Sequence, residues 1–195
     1  MSLKKINIAV IGATGFVGLD LINLLTKHPK VKILNLCAQK NQGKSIKLFD
    51  KRIKKNLPKI SKVENIEWNK LDVIFLSLPN GEAQKFIKRN ILHKKITFID
   101  LSGDFRLISP SKYKYWYGRK HQAKNLIRKS IYSISEFVKK DIKKFRIISN
   151  PGCYPTSIQL PLIPILKKNL INSKNITIDS KSGYSGAGKN FQNKF

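Results

Sequence analysis

Near its start the chain runs from a short apolar stretch, Ile6 to Ile11, straight into Gly12-Ala13-Thr14-Gly15-Phe16-Val17-Gly18. Apolar residues then recur at Val17, Leu21, Ile22, Leu24 and Leu25 until Pro29 stops the pattern. The order reads strand, glycine loop, helix. Three glycines at that spacing let a strand turn tightly into a helix while a pyrophosphate approaches the backbone at the helix N-terminus. A glycine triplet by itself also suits an ordinary tight turn. Its place between a first strand and an amphipathic helix points to dinucleotide binding. Gly12, Ala13, Thr14, Gly15, Phe16 and Val17 are the candidate cofactor contacts.

Further strands are expected over residues 31–38, 73–78, 97–101 and 146–149, with a helix over 82–89. Strands separated by helices imply right-handed crossovers and a mainly parallel sheet. Residues 41–69, lysine-rich and weakly periodic, read as a long surface segment. So do residues 109–130, where Tyr113, Tyr115, Trp116 and Tyr117 crowd among basic side chains. Residues 176–181 read as a strand leading into a second glycine-rich loop, Ser182-Gly183-Tyr184-Ser185-Gly186-Ala187-Gly188. A new sheet begun so near the last residue is expected to belong to an incomplete domain.

The length of 195 residues suits one large domain, or one domain and part of another. Nothing in it resembles a signal peptide or a membrane-spanning run, so a soluble, cytoplasmic protein is expected. The net charge of +28 would ordinarily suggest nucleic acid. Yet the lysines are dispersed, and arginine, the usual reader of base edges, occurs six times against 33 lysines. A dedicated nucleic-acid role is therefore not expected. Cys37 and Cys153 lie far apart without metal-ligand spacing, so free thiols are expected, with no disulfide and no metal site.

An NAD enzyme usually carries Asp or Glu at the end of its second strand to accept hydrogen bonds from ribose hydroxyls. No acidic residue occurs between Asp20 and Asp50. Lys40 or Lys44, just past that strand, can pair with a 2′-phosphate, which favours NADP. The alternative is that both are solvated surface charges.

One cysteine stands where chemistry is plausible. In Ser149-Asn150-Pro151-Gly152-Cys153-Tyr154-Pro155-Thr156, Pro151 and Gly152 force a turn, and Pro155 sits where a helix tolerates proline, in its first turn. That places Cys153 at the N-terminus of a helix carrying Ile158, Leu162, Ile163 and Leu166. Helix N-H groups there favour a thiolate, the reactive form, and can hold an oxyanion. A structural cysteine is the competing reading of the local pattern.

Taken together, these motifs resemble the N-acetyl-gamma-glutamyl-phosphate reductase family, NADPH-dependent enzymes of arginine biosynthesis. Gly12 to Gly18 resembles its cofactor loop. Phe75-Leu76-Ser77-Leu78-Pro79-Asn80-Gly81 resembles its strand and turn, which commonly has His where Asn80 stands. Asp100-Leu101-Ser102-Gly103-Asp104-Phe105-Arg106-Leu107 resembles another signature, and Asn150 to Thr156 the catalytic cysteine motif. The loop from Ser182 resembles a serine-glycine loop that typically ends in Arg where Lys189 stands. One departure is Tyr132-Ser133-Ile134-Ser135-Glu136, which replaces the more usual Tyr-Gly-Leu-Pro-Glu and loses its glycine and proline.

The resemblance implies a Rossmann-type parallel-sheet domain over residues 1–150 that binds NADP. The beginning of an α+β catalytic and dimerisation domain would follow over 151–195, in a homo-oligomer. It implies Cys153 as nucleophile toward a small acyl-phosphate substrate, N-acetylglutamyl 5-phosphate, reduced through a thioester to the semialdehyde. Ser185 and Gly186 become further cofactor contacts, and Arg106 and Asn150 substrate contacts. Asp104 would orient its loop, with a structural ion pair as the alternative for Arg106 and Asp104. The acid/base histidine of the family is expected beyond residue 195, since none of His28, His93 and His121 matches that role. Rival readings are aspartate-semialdehyde dehydrogenase, a carrier-linked lysine-pathway reductase, and an inactive NADP-binding fragment.

Overall fold

The computed structural model describes residues 4–93 and 96–187. Among them, β1 (Ile6–Ile11), β2 (Val31–Cys37), β3 (Ile60–Ser61), β4 (Val73–Leu76), β5 (Thr97–Asp100), β6 (Ser130–Tyr132) and β7 (Ile147–Ser149) form one sheet. The strand order is β3-β2-β1-β4-β5-β7-β6, and every neighbouring pair is parallel. The expected parallel α/β fold is present. Strands 4 and 5 end one or two residues short of their expected ends, where the chain turns off the sheet.

The centre of the sheet is buried on both faces, which is why β1 reads as continuous apolar sequence rather than alternating. Ile8 and Val10 pack with Leu19 and Ile22 of α1 (Phe16–Thr26). Ala9 and Ile11 belong to the opposite cluster, with Ala83 and Ile87 of α2 (Glu82–Asn90). Successive side chains thus serve two separate cores.

Residues 41–69 depart from the surface segment expected of them. Ile46, Ile53, Ile60 and Ile66 are buried, the first three beside α1 and the last in the opposite cluster. These anchors lie six or seven residues apart on short 3-10 turns, loop and a two-residue strand rather than on one helix or strand, so no single amphipathic element announces them. Each is worth about 1.5–3 kcal/mol of burial, enough to hold lysine-rich chain against the sheet.

Residues 109–130 are likewise more than surface. Ser109 caps α3 (Pro110–Tyr117) by accepting from the Lys112 N-H, and Gly118, at φ +67°, ends it. Tyr113 on this helix is fully buried, whereas Tyr115 and Trp116 face solvent. After it comes the short α4 (Lys124–Ile127), which buries Leu126 and Ile127.

The strand expected over residues 176–181 does not form. Ile176 and Ile178 are exposed, and no described strand lies beside the stretch to accept a ladder. An extended segment becomes a strand only by pairing. Ahead of it, α5 (Cys153–Lys167) starts at the expected cysteine, with Pro155 in its first turn, and buries none of its residues.

Candidate functional site

Because β1 and β4 are sheet neighbours on either side of the point where the strand order reverses, a crevice opens at the C-terminal ends of the strands. The glycine loop lies there. Gly12 adopts φ +84°, and a Cβ on it would overlap the backbone carbonyl of Ser77. Only glycine fits, because the chain leaving β4 passes directly against the loop, with Ser77 N-H donating to Ile11 O (2.8 Å). On the other side, Cys37 O at the end of β2 accepts from Gly12 N-H (2.9 Å) and Ala13 N-H (3.0 Å). A Cβ on Gly18 would overlap Gly12 O, so the third glycine permits close packing of α1 on the loop. Gly15 immediately precedes α1, where a Cβ would lie 3.4 Å from Gly12 O and 4.0 Å from Ser77 Oγ. This construction fits a dinucleotide pyrophosphate.

Two more loops leave the same edge and are bolted together by one carboxylate. Asp104 Oδ1 accepts from Gly81 N-H (2.7 Å) and Tyr113 O-H (2.7 Å), and Oδ2 accepts from Gln84 N-H (3.0 Å). It thereby caps the N-terminus of α2. Gln84 Nε2 donates to Tyr113 Oη (2.9 Å), and its Oε1 accepts from Gln122 N-H. His121 Nδ1 accepts from Ala123 N-H (3.1 Å), so its proton sits on Nε2, which donates to Asp104 O (2.9 Å). Burial holds the His121 imidazole below its usual range and pushes the Tyr113 phenol up. Asn80 adds a second bolt, its Oδ1 accepting from Gly103 N-H (2.8 Å) and its carbonyl from Arg119 (2.8 Å). Asp104 orients its loop as expected, and among the described residues it makes no ion pair with Arg106.

Arg106 bridges two loops. Its Nε donates to Asn150 O (3.0 Å) and its Nη2 to Leu101 O (3.2 Å), while a Cβ on Gly152 would lie 2.9 Å from Nη1. The guanidinium is therefore packed on the residue before Cys153. Cys153 is exposed, whereas Cys37 is buried at the end of β2, where burial pushes its thiol up. Both are free thiols. Asn150 is exposed, its amide donating to Pro151 O (3.2 Å).

Lys40 and Lys44 are exposed on the turn that follows β2. Ser185 and Gly186 line a cleft of about 420 Å³ together with Phe16, Val17 and Asp20 at the head of α1. The second glycine-rich loop is thus brought to the first, although Gly188 and Lys189 lie outside the described residues. The histidines lie elsewhere: His121 in the Asp104 network, His93 stacked on Trp68 (ring centroids 4.4 Å apart), and His28 at the end of α1. Sequence reasoning missed Gln84 and Tyr113, which act here through residues 9 to 38 positions away.

Residues 7–145 match the family described as "Semialdehyde dehydrogenase, NAD binding domain", and residues 153–195 match "Semialdehyde dehydrogenase, dimerisation domain". The N-acetyl-gamma-glutamyl-phosphate reductase of Ehrlichia canis is 44% identical over 187 residues, covering 95% of this chain and 53% of its own length. A probable chloroplastic N-acetyl-gamma-glutamyl-phosphate reductase of Arabidopsis thaliana is 41% identical over 187 residues, covering 95% of this chain and 46% of its own. The chain thus spans about half the length of the curated relatives it matches. Among solved structures, aspartate semialdehyde dehydrogenase II from Vibrio cholerae superposes with a TM-score of 0.65 at 21% identity, covering 96% of this chain and 49% of that one. With the nucleotide-binding sheet, the glycine loop and the cysteine at the head of α5 all in place, and the match running through residues 7–145, the chain belongs to the semialdehyde dehydrogenase family.

Proposed function

We propose that the protein carrying this chain is an NADPH-dependent N-acetyl-gamma-glutamyl-phosphate reductase, with Cys153 as its nucleophile. The observation that carries this reading is the exposed thiol at the first residue of a fifteen-residue helix, with the Arg106 guanidinium packed against Gly152 beside it. The names of the curated relatives support the substrate class. Cys153 thiolate attacks the acyl-phosphate carbonyl, the C-S bond forms, and the C-O bond to phosphate breaks as phosphate leaves. Helix N-H groups hold the developing oxyanion. Arg106 presents positive charge where the phosphate departs, and Asn150 borders the same spot. A bound nicotinamide cofactor supplies the hydride that takes the thioester to the aldehyde level, after which the thiolate is released.

Gly12, Ala13, Thr14, Gly15, Phe16 and Val17 would hold the cofactor's pyrophosphate, with Ser185 and Gly186 across the cleft. The choice of NADP rests on the acid-free stretch from residue 21 to 49 and on the lysines after β2. Replacing Lys40 and Lys44 together by alanine is expected to raise KM for NADPH about tenfold, the loss of one charge-assisted contact, and to leave KM for NADH within about twofold. Equal effects on both cofactors would sink the assignment.

The match of residues 153–195 to a dimerisation domain supports a homo-oligomer. No described helix is long and apolar enough to cross a membrane. The test of the whole reading is an assay of the polypeptide at the length of its relatives with NADPH and either N-acetylglutamyl phosphate or aspartyl phosphate. Preference for the first by more than about tenfold in kcat/KM is expected. Preference for aspartyl phosphate, or no reduction of either, overturns it.

A further inference from the structure

The neighbouring strands β4, β5 and β7 send their exit loops to one edge of the sheet, and each loop carries a glycine beneath the polar end of a long side chain. In the loop after β4, a Cβ on Gly81 would lie 2.8 Å from Arg119 Nη1. In the loop after β5, a Cβ on Gly103 would overlap the Tyr117 hydroxyl. In the loop after β7, the group over Gly152 is the Arg106 guanidinium, next to Cys153. Two guanidinium groups and a phenol thus lie against backbone along the C-terminal rim of the sheet, where α/β folds bind their ligands. Arg106 already has a part in the proposed chemistry. Arg119 has none.

Its placement is fixed from two sides. Gly118, left-handed at the end of α3, turns the chain so that the next side chain returns over the loop after β4. There Arg119 Nη1 donates to Asn80 O (2.8 Å), with buried Gly81 beneath it. Its Nε and Nη2 make no hydrogen bond among the described residues, and no carboxylate there pairs with it. Asp104, bonded to Gly81 N-H, already takes three donors, none of them a guanidinium. A guanidinium held by one carbonyl, with donors to spare and no counter-charge, suits an anionic oxygen brought by a ligand.

The loop beneath Arg119 also touches the glycine loop. Ser77 begins it, with its carbonyl against Gly12 and its Oγ 4.0 Å from where a Gly15 Cβ would stand. Asn80 follows after at most about 11 Å of chain. On its other side, Asn80 Oδ1 accepts from Gly103 N-H (2.8 Å), and Gly103 O accepts from Arg106 N-H (3.4 Å). In the sheet order β1, β4, β5, β7 the rim therefore reads glycine loop, Arg119, Tyr117, then Arg106 with Cys153. We propose that Arg119 is a second anion-binding residue of this site. It takes a phosphate oxygen of the dinucleotide or the carboxylate of the acyl-phosphate substrate, while Arg106 serves the end nearer Cys153. Both sources offer negatively charged oxygens to a forked donor. The inference rests on the proposed function for the identity of these ligands.

The test compares Arg119→Ala, Arg119→Lys and Lys120→Ala with wild type, by fluorescence titration with NADPH and by KM for the acyl phosphate. Arg119→Ala should weaken one of the two ligands about tenfold, the worth of one charge-assisted hydrogen bond, and leave the other within about twofold. A loss in the NADPH titration identifies a cofactor phosphate as the partner, and a loss confined to KM identifies the substrate carboxylate. Arg119→Lys should recover part of it, because lysine keeps the charge without the fork. Lys120→Ala removes the same charge from the exposed position next along the chain and should leave both ligands within about twofold. Arg119 is exposed and holds one carbonyl, so its loss should lower the melting point by less than about 3 °C. Equal losses in Arg119→Ala and Lys120→Ala overturn the inference, since the general positive field would then be acting. An equal loss for both ligands, or a melting point lowered by about 10 °C or more, marks a strut of the loop and overturns it too. So do unchanged values for both ligands, or an unchanged NADPH titration where the chain reduces no acyl phosphate. The titration needs no turnover, so a chain that reduces no acyl phosphate yet loses NADPH affinity in Arg119→Ala sinks the proposed function and leaves the Arg119 site standing.

Discussion

Replacing Cys153 by alanine is expected to lower turnover by about 10⁴-fold or more while leaving NADPH affinity within about twofold. The size follows from what is lost. Without the thiolate no covalent intermediate forms, and hydride would have to meet the acyl phosphate directly. The selectivity follows from the fold. Cys153 is exposed and its helix buries no residue, so removing Sγ leaves no cavity and should change stability by less than about 0.5 kcal/mol. The glycine loop is held by its own contacts to Cys37 and Ser77, none of which passes through residue 153. Cys153→Ser should recover little, because a hydroxyl is far less ionised than a thiol at the same place. The decisive measurement is a pair: single-turnover reduction of the acyl phosphate, and fluorescence titration with NADPH. Near-normal turnover in either variant would refute the nucleophilic role, and loss of NADPH binding would mean that residue 153 acts on the fold instead.

What could be read in the sequence follows how local each feature is. The glycine loop was legible because its turn is set within seven residues, while its distant contacts, Cys37 and Ser77, act on it through backbone atoms that any residue carries. The cysteine was legible for the same reason, proline and glycine fixing the turn and the helix start together. Illegible features are those whose meaning is set by pairing. The two-residue strand β3 exists because Leu36 and Cys37 of β2 offer it an edge, whereas residues 176–181, with a better strand pattern, find no partner among the described residues. Tyr113 looks like one of four surface aromatics until Asp104 is seen to accept its hydroxyl. Asp100 and Ser149 are 49 positions apart, and nothing short of the strand register makes them neighbours. Residues that bind through their backbone show in a sequence, then, while residues that hold other residues do not.

Asp104 is the clearest residue of that second kind, and Asp104→Asn is expected to cost about 2–4 kcal/mol of stability. Every contact of its carboxylate arrives from a donor: the N-H groups of Gly81 and Gln84 and the hydroxyl of Tyr113. An amide has one acceptor. In either flip its NH₂ confronts a donor across a site from which water is excluded, so one group loses its partner and another is left unmet. For a chain of this length the loss corresponds to a melting point lower by about 5–15 °C. Tyr113→Phe removes one bond and leaves the carboxylate its two backbone donors, so it should cost about 1 kcal/mol, and the double variant less than the sum. His121 gives the same network a pH sign. Its imidazole is held below the usual range by burial, so the unfolded chain takes up a proton first as pH falls. Its contribution is fully present above the unfolded value of about 6.5 and is lost as pH falls through the lower folded value. Acidification should therefore weaken wild type more than a His121→Gln variant, whose amide keeps a donor for Asp104 O but cannot titrate. Because Asp104 stands two residues before Arg106, Asp104→Asn should also raise KM for the acyl phosphate more than KM for NADPH at a temperature where the variant is folded. A melting point within 1 °C of wild type would show that the carboxylate is not the bolt between these loops.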